Sequence, residues 1–201
     1  LLLKENELND TARRRYLELS LSYGERLSRL IMELFELSTL DTPSKKLEMV
    51  PFSIAELAQD VAEKWSFETE RRNIRFLSDI SPDTPFTMGD IALIERVFEK
   101  LLENSIRFTP SGGAIRLVVS SNDQLIVARI EDTGPGVGDE DVSRIFDRFY
   151  RGDSARFEPD KGAGLGLFIA RRIIELHNGH IGVEHGKSGA CFFFTLPVLA
   201  N

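Results

Sequence analysis

Four short clusters between Glu99 and Leu167 hold the side chains best suited to chemistry. The first is Leu102-Glu103-Asn104-Ser105-Ile106-Arg107-Phe108, in a stretch with helical periodicity. An amide oxygen on a rigid helix suits magnesium, which takes near-octahedral oxygen ligands and keeps several waters and phosphate oxygens. Arg107, one turn past Asn104, is placed to reach a phosphate, and Phe108 to pack beside a base or ribose. The second cluster, Asp132-Thr133-Gly134-Pro135-Gly136, follows an apolar strand. A buried carboxylate at a strand end needs donors. The exocyclic amine of adenine is one, and a site built on it rejects guanine, which offers a carbonyl there. Gly134 and Gly136 let the backbone approach a ring closely.

The third cluster is Ile145-Phe146-Asp147-Arg148-Phe149-Tyr150-Arg151 and the fourth Gly162-Ala163-Gly164-Leu165-Gly166-Leu167. The glycines of the fourth open a helix, so unpaired backbone N–H groups and the positive helix end face whatever anion binds there. A dinucleotide-binding fingerprint is excluded, because no parallel strand precedes these glycines. A Walker phosphate loop is excluded too, because no Gly-Lys-Ser/Thr closes the turn. Residues 152–160 are polar with few apolar anchors and are expected to form a mobile lid. Each cluster alone is commonplace. Their order and spacing together describe an ATP pocket.

Several elements must position these residues. Ser53 to Glu70 has a helical period, with Ser53 and Glu56 in a capping-box arrangement. Ile74 to Ser78 alternates as a strand, and Met88-Gly89-Asp90 leads into a helix from about Ile91 to Phe108. Ala114 to Ser120 and Leu125 to Ile130 alternate around Ser121-Asn122-Asp123, as a hairpin does. Leu165 to His177 is predicted helical and stopped by Asn178-Gly179. Ile181 to Glu184 and Cys191 to Leu196 are predicted strands around a Gly186 to Gly189 turn. The simplest packing is an α+β two-layer sandwich, a mixed and mostly antiparallel sheet with helices on one face.

Upstream, Tyr16, Tyr23, Leu27, Leu30, Leu34 and Leu37 recur in steps of three, four and seven. They predict a long helix over about residues 10–40 whose apolar seam needs a partner helix. Arg13, Arg14, Glu25, Arg26, Arg29 and Glu33 are expected on its solvated face. Pro43 sits in a turn-rich connector. The expected organisation is therefore helix over 1–42, linker over 43–50 and nucleotide-binding layer over 51–201.

The 201 residues carry a formal charge of −7, which argues against a nucleic-acid surface. One cysteine, Cys191, allows no intrachain disulfide. No apolar run reaches the ~18 residues that span a bilayer. The first methionine is Met32, and the chain is expected to be a piece of a longer protein.

The four clusters resemble the asparagine box, first glycine box, phenylalanine box and second glycine box of sensor histidine kinases. These are Bergerat-fold ATPases, related to gyrase, heat-shock chaperones and mismatch-repair proteins. The resemblance covers about residues 50 to 198, and Arg144 to Arg151 favours the histidine-kinase branch. It implies that Asn104 ligates Mg2+, that Asp132 binds the adenine amine and that Gly134 and Gly136 line the base beside Phe108. It implies phosphate contacts from Arg107 and Arg151, with Lys161, Gly162, Gly164, Leu165, Gly166 and Leu167 closing over the triphosphate. The helix before residue 42 resembles the second helix of a dimerisation hairpin. A homodimer, a response-regulator receiver domain as partner and a cytoplasmic position in a membrane-anchored sensor are implied.

Two departures stand out. Four residues before Asn104 the family usually has another asparagine and its hydrolytic relatives a glutamate base; here it is Lys100, which cannot ligate magnesium while charged but is placed to contact phosphate. The family's phosphoacceptor sits in a His-Glu/Asp motif on the first hairpin helix. His177, His180 and His185 all fall inside the nucleotide-binding region, and none precedes an acidic residue. The chain is expected to bind ATP without phosphorylating itself. The competing readings are an ATP-binding regulatory module without catalysis and a serine kinase of the anti-sigma type.

Overall fold

The computed structural model describes residues 10–42, 46–152, 164–186 and 188–199. Helix α1 (Asp10–Leu40) leads through β1 (Val50–Phe52) to α2 (Ile54–Arg71), β2 (Arg75–Ile80), β3 (Thr87–Gly89) and α3 (Ile91–Phe108). Then follow β4 (Ala114–Ser121), β5 (Leu125–Asp132), a single turn α4 (Asp139–Val142), α5 (Gly166–Leu176), β6 (His180–His185) and β7 (Ala190–Pro197).

Five strands form one sheet in the order β2-β4-β5-β7-β6. The pairs β4–β5, β5–β7 and β6–β7 are antiparallel, while β2 and β4 run parallel. A parallel pair needs a crossover, and α3 lies within it. Along β5 every second residue is buried (Ile126, Ala128, Ile130, Asp132), as in a sheet covered on one face. The expected two-layer architecture is therefore present. Sequence periodicity did not reveal the two-stranded pairing of β1 with β3, because strands of three residues are too short to display a period.

Helix α3 carries the site, and its position is over-determined. Asp90 caps it, its carboxylate accepting from the Leu93 N–H. Val97, Phe98, Leu101, Leu102, Ser105 and Ile106 form its buried face. Phe98 meets Phe194 of β7 edge to face, with ring centroids 5.1 Å apart, a contact worth about 1 kcal/mol beyond the area buried. His177, at the end of α5, accepts from the Asp90 N–H at Nε2 (2.9 Å) and lies 2.7 Å from the Ile173 carbonyl at Nδ1. The first contact makes Nε2 the acceptor, so the proton sits on Nδ1 and is donated to Ile173. Nδ1 thus anchors this buried ring to its own helix, and Nε2 fastens the end of α5 to the start of α3. His180 and His185 are exposed, and the His185 ring lies 2.9 Å from Asp139.

The seam of α1 is only partly covered. Leu37 and Leu40 are buried in the common core, whereas Tyr16, Tyr23, Leu27 and Leu34 remain exposed. Ionic pairs reinforce the docked end: Glu36 with Arg96 of α3 (3.2 Å), Asp41 with Arg172 of α5 (3.0 Å) and Glu33 with Lys100 of α3 (3.5 Å). Glu33, expected on a solvated face, is instead turned inward, because the sheet-and-helix layer supplies it with a buried cation. Among the described residues, no helix is long and apolar enough to cross a membrane.

Candidate functional site

A cleft opens between α3, the ends of β5 and β7, and the start of α5. About 1020 Å3 of space free of protein atoms lies within it, open solvent at the mouth included. Asn104, Arg107 and Phe108 of α3, Asp132 and Gly136 after β5, Tyr150 and Arg151, and Gly164, Gly166 and Leu167 all contribute to its wall. Three of the four expected clusters are thereby brought together whole or in part, and the fourth is represented by its last glycines. Lys161 and Gly162 lie outside the described residues, as does most of the expected lid.

Asp132 is buried at the floor. The N–H groups of Gly134 (2.9 Å) and Ala190 (3.2 Å) both donate to its Oδ1. Burial pushes its pKa above the usual carboxylate value; the two backbone bonds, and more weakly the Ser105 hydroxyl, pull it back. That fully buried hydroxyl forms no hydrogen bond of good geometry, so the floor keeps hydrogen-bonding capacity beside the carboxylate. The turn after Asp132 is fixed by Thr133, whose Oγ1 accepts from the Ala114 N–H and whose N–H donates to the Ala114 carbonyl. Gly134 lies behind the carboxylate rather than in the wall. Leu165 is fully buried in the core; of that residue pair, Gly166 and not Leu165 faces the cleft.

The opposite end is cationic. The Arg107 side chain reaches solvent at the cleft mouth, yet lost hydration lowers its pKa; Glu103 and Glu33 oppose this, and repulsion from Arg151 and Arg29 adds to it. An anion between these guanidiniums would relieve the repulsion. Lys100 is nearly buried, its ammonium 3.5 Å from Glu33 and 3.7 Å from Glu103. Glu99 is not available as a base: it is clamped between Lys64 (2.7 Å) and Arg96 (3.0 Å). Although burial opposes it, these two cations lower the Glu99 pKa. The N-cap residue of α5, Leu165, makes no side-chain capping bond, and the N–H groups of a helix start are suited to an anion.

Sequence reasoning missed several wall residues. Glu33 belongs to a different helix, and Ala190 and Phe192 come from β7. Gly189 has a packing role: a Cβ there would stand 2.4 Å from the Asp132 carbonyl oxygen and 2.7 Å from its Oδ1. The segment after β5 is closed by the Tyr150 hydroxyl donating to Asp141 and by the Phe149 N–H donating to the Gly164 carbonyl. Gly164 has a φ of +75° and passes so near Tyr150 that a Cβ would lie 2.5 Å from its carbonyl oxygen.

Comparison with known proteins accords with this geometry. Residues 89–200 match the model of the histidine kinase-, DNA gyrase B-, and HSP90-like ATPase family. The chain is 33% identical over 196 residues to the adaptive-response sensory kinase SasA of Rippkaea orientalis, covering 94% of this chain and 50% of that one. The chain thus spans about half the length of the curated relatives it matches. Full-length ShkA in complex with AMPPNP superposes with a TM-score of 0.78 at 26% identity, over 99% of this chain and 42% of that one. ThkA in complex with the response regulator TrrA gives 0.76 at 25% identity, over 96% and 54%. With its cleft assembled from the asparagine, glycine and phenylalanine boxes and its family match spanning α3 to β7, the chain belongs to the histidine kinase-, DNA gyrase B- and HSP90-like ATPases, on the sensor histidine kinase branch.

Proposed function

We propose that the chain is the ATP-binding catalytic part of a two-component sensor kinase that moves the terminal phosphoryl of ATP to a histidine outside residues 1–201. The observation that carries this reading is the polarity of the cleft. One end presents a buried carboxylate with a single oxygen already committed to backbone donors, and the other presents cations and the start of α5.

In this reading Asp132 accepts from the adenine amine, while Gly136 and Phe108 flank the base. Arg107, Lys100, Arg151 and the first N–H groups of α5 hold the phosphates. The Asn104 side chain in the cleft wall also suits magnesium: its amide oxygen would hold an ion whose remaining ligands are phosphate and water. When bound, such an ion neutralises charge on the transferring phosphoryl group. The chain's own residues orient the triphosphate and keep its terminal group exposed for in-line attack. Transfer breaks the bond between the terminal phosphorus and the bridging oxygen of ADP and forms a bond to a histidine ring nitrogen. With Glu99 clamped, ATP hydrolysis is expected to be negligible.

Residues 1–42 are assigned to the dimerisation hairpin, 43–50 to a linker and 51–201 to the catalytic part; the change from a partly exposed seam to a closed core supports this division. The intact protein is expected to act as a homodimer that passes phosphate to the receiver domain of a response regulator, the kind of complex named for ThkA. We place this part on the cytoplasmic side of a membrane-anchored sensor.

Incubation with labelled ATP and magnesium should leave the 201-residue chain without acid-labile label. Adding a separate histidine-bearing hairpin from the intact protein should restore labelling on that hairpin. ATP binding without labelling of the hairpin would instead favour a regulatory module, the reading that Lys100 in place of an asparagine suggests. Lys100→Asn should make nucleotide affinity depend more steeply on magnesium; an unchanged dependence would mean that Lys100 does not offset phosphate charge.

A further inference from the structure

Lys100 lies where the two halves of the molecule meet. Its side chain is only 6% exposed, and its ammonium has Glu33 at 3.5 Å and Glu103 at 3.7 Å. Charge-assisted hydrogen bonds to carboxylates normally close to about 2.7–2.9 Å, so this buried cation is loosely held. Desolvated charges persist only where an opposite charge answers them, and here the nearer answer comes from α1. The Lys100 stem also runs under the start of α5: a Cβ at Gly166 would stand 3.4 Å from its Cδ. Lys100 and Glu33 both face the cleft.

We propose that Glu33 is the resting counterion of a phosphate-binding lysine, and so a residue of α1 that sets nucleotide affinity. When a polyphosphate occupies the cleft, the Lys100 ammonium leaves Glu33 for a phosphate oxygen. Glu33 then faces the same negative charge with its contact to Lys100 given up and Arg107 as the cation still near it, and α1 loses one of its ionic ties to α3. The Arg96–Glu36 and Arg172–Asp41 pairs are outside the cleft and stay in place. The exchange requires phosphate, so it separates nucleotides from nucleosides. Coupling of this kind is reciprocal: what the triphosphate takes from the α1 contact, the α1 contact takes from triphosphate affinity.

The inference rests on the ATP-binding reading, and one experiment separates the two. Calorimetric titration with ATP and with adenosine is run on the whole chain, on Glu33→Gln, on Lys100→Gln and on the double variant. Glu33→Gln should tighten ATP by about 3–10-fold and leave adenosine unchanged. That gain should vanish in the Lys100→Gln background, where retained adenosine binding shows that the cleft is folded. Lys100→Arg, which keeps the charge, should retain it. Hydrogen exchange over residues 33–40 should quicken on ATP addition in the parent chain and not in Lys100→Gln. If the parent binds ATP but Glu33→Gln has no effect, weakens binding or keeps its gain without Lys100, the inference is overturned and the ATP-binding reading stands. A parent chain that binds neither ligand overturns both.

Discussion

At the Asp132 end of the cleft one carboxylate is fixed by contacts within a single sheet and its turns. At the Lys100 end the charges come from α3, from the segment after Phe149 and, through their counterion, from α1. The first end is pre-formed: Gly134, Ala190, Thr133 and Gly189 hold the carboxylate before any ligand arrives. The second end is assembled from elements far apart in sequence, with long ion-pair distances and like charges close together. Pre-formed polar sites favour selectivity, since a ligand that mismatches them leaves buried groups unpaired. Loosely paired charges favour exchange. Base recognition and phosphate response are thus divided between a rigid end and an adjustable one.

Asp132→Asn should give the largest effect, since the amide would turn its NH2 either toward the adenine amine or, when flipped, toward the two backbone donors that converge on Oδ1. ATP affinity should fall about 100-fold or more, measured by calorimetry; a loss below tenfold would mean that the carboxylate does not read the base. Gly189→Ala should come next. Its methyl would press on the Asp132 backbone and carboxylate, and thermal unfolding should register a loss of about 1–3 kcal/mol with weaker binding of ATP and adenosine alike. Unchanged stability would show that the β6–β7 turn moves aside. At the other end, Arg107→Gln should weaken ATP about tenfold while sparing adenosine; equal losses for both would erase the division between the ends.

The smallest expected effect is the pH dependence of binding. Burial raises the Asp132 pKa above the ordinary 3.8, so the carboxylate takes up its proton at a higher pH than in the unfolded chain. Binding of adenosine, which has no phosphate to titrate, should weaken as pH falls through that raised value, and Arg107→Gln should keep the same limb; adenosine binding that stays flat across the acid range would contradict it. The same shift has a sign for stability: this group favours the folded chain most below its unfolded value, and the advantage is lost as pH rises through the folded one.

The two ends also differ in how far the sequence reveals them. Helix α3 is bounded at Ile91 and Phe108 as its periodicity predicts, and the β4–β5 hairpin follows from simple alternation. Asp132 could be singled out because a carboxylate between an apolar strand and glycines is itself a local pattern. Glu33 could not, because its partner lies 67 residues away and a charge on an amphipathic helix carries no sign of which cation will answer it. In the sequence Gly189 is an ordinary turn residue; only the approach of β7 to Asp132 shows what it must leave empty. His177 has no local signal either, since the bond that matters, from the Asp90 N–H to Nε2, joins one helix end to the start of a helix 87 residues earlier.

Competitive calorimetric titration of ATP, adenosine and GTP against the whole chain, repeated with Asp132→Asn, tests the division of the cleft most directly. The expected result is that ATP binds more tightly than adenosine, that GTP does not compete, and that Asp132→Asn removes ATP and adenosine binding together. Equal binding of GTP and ATP, or an Asp132→Asn variant that still prefers ATP over GTP, would contradict it.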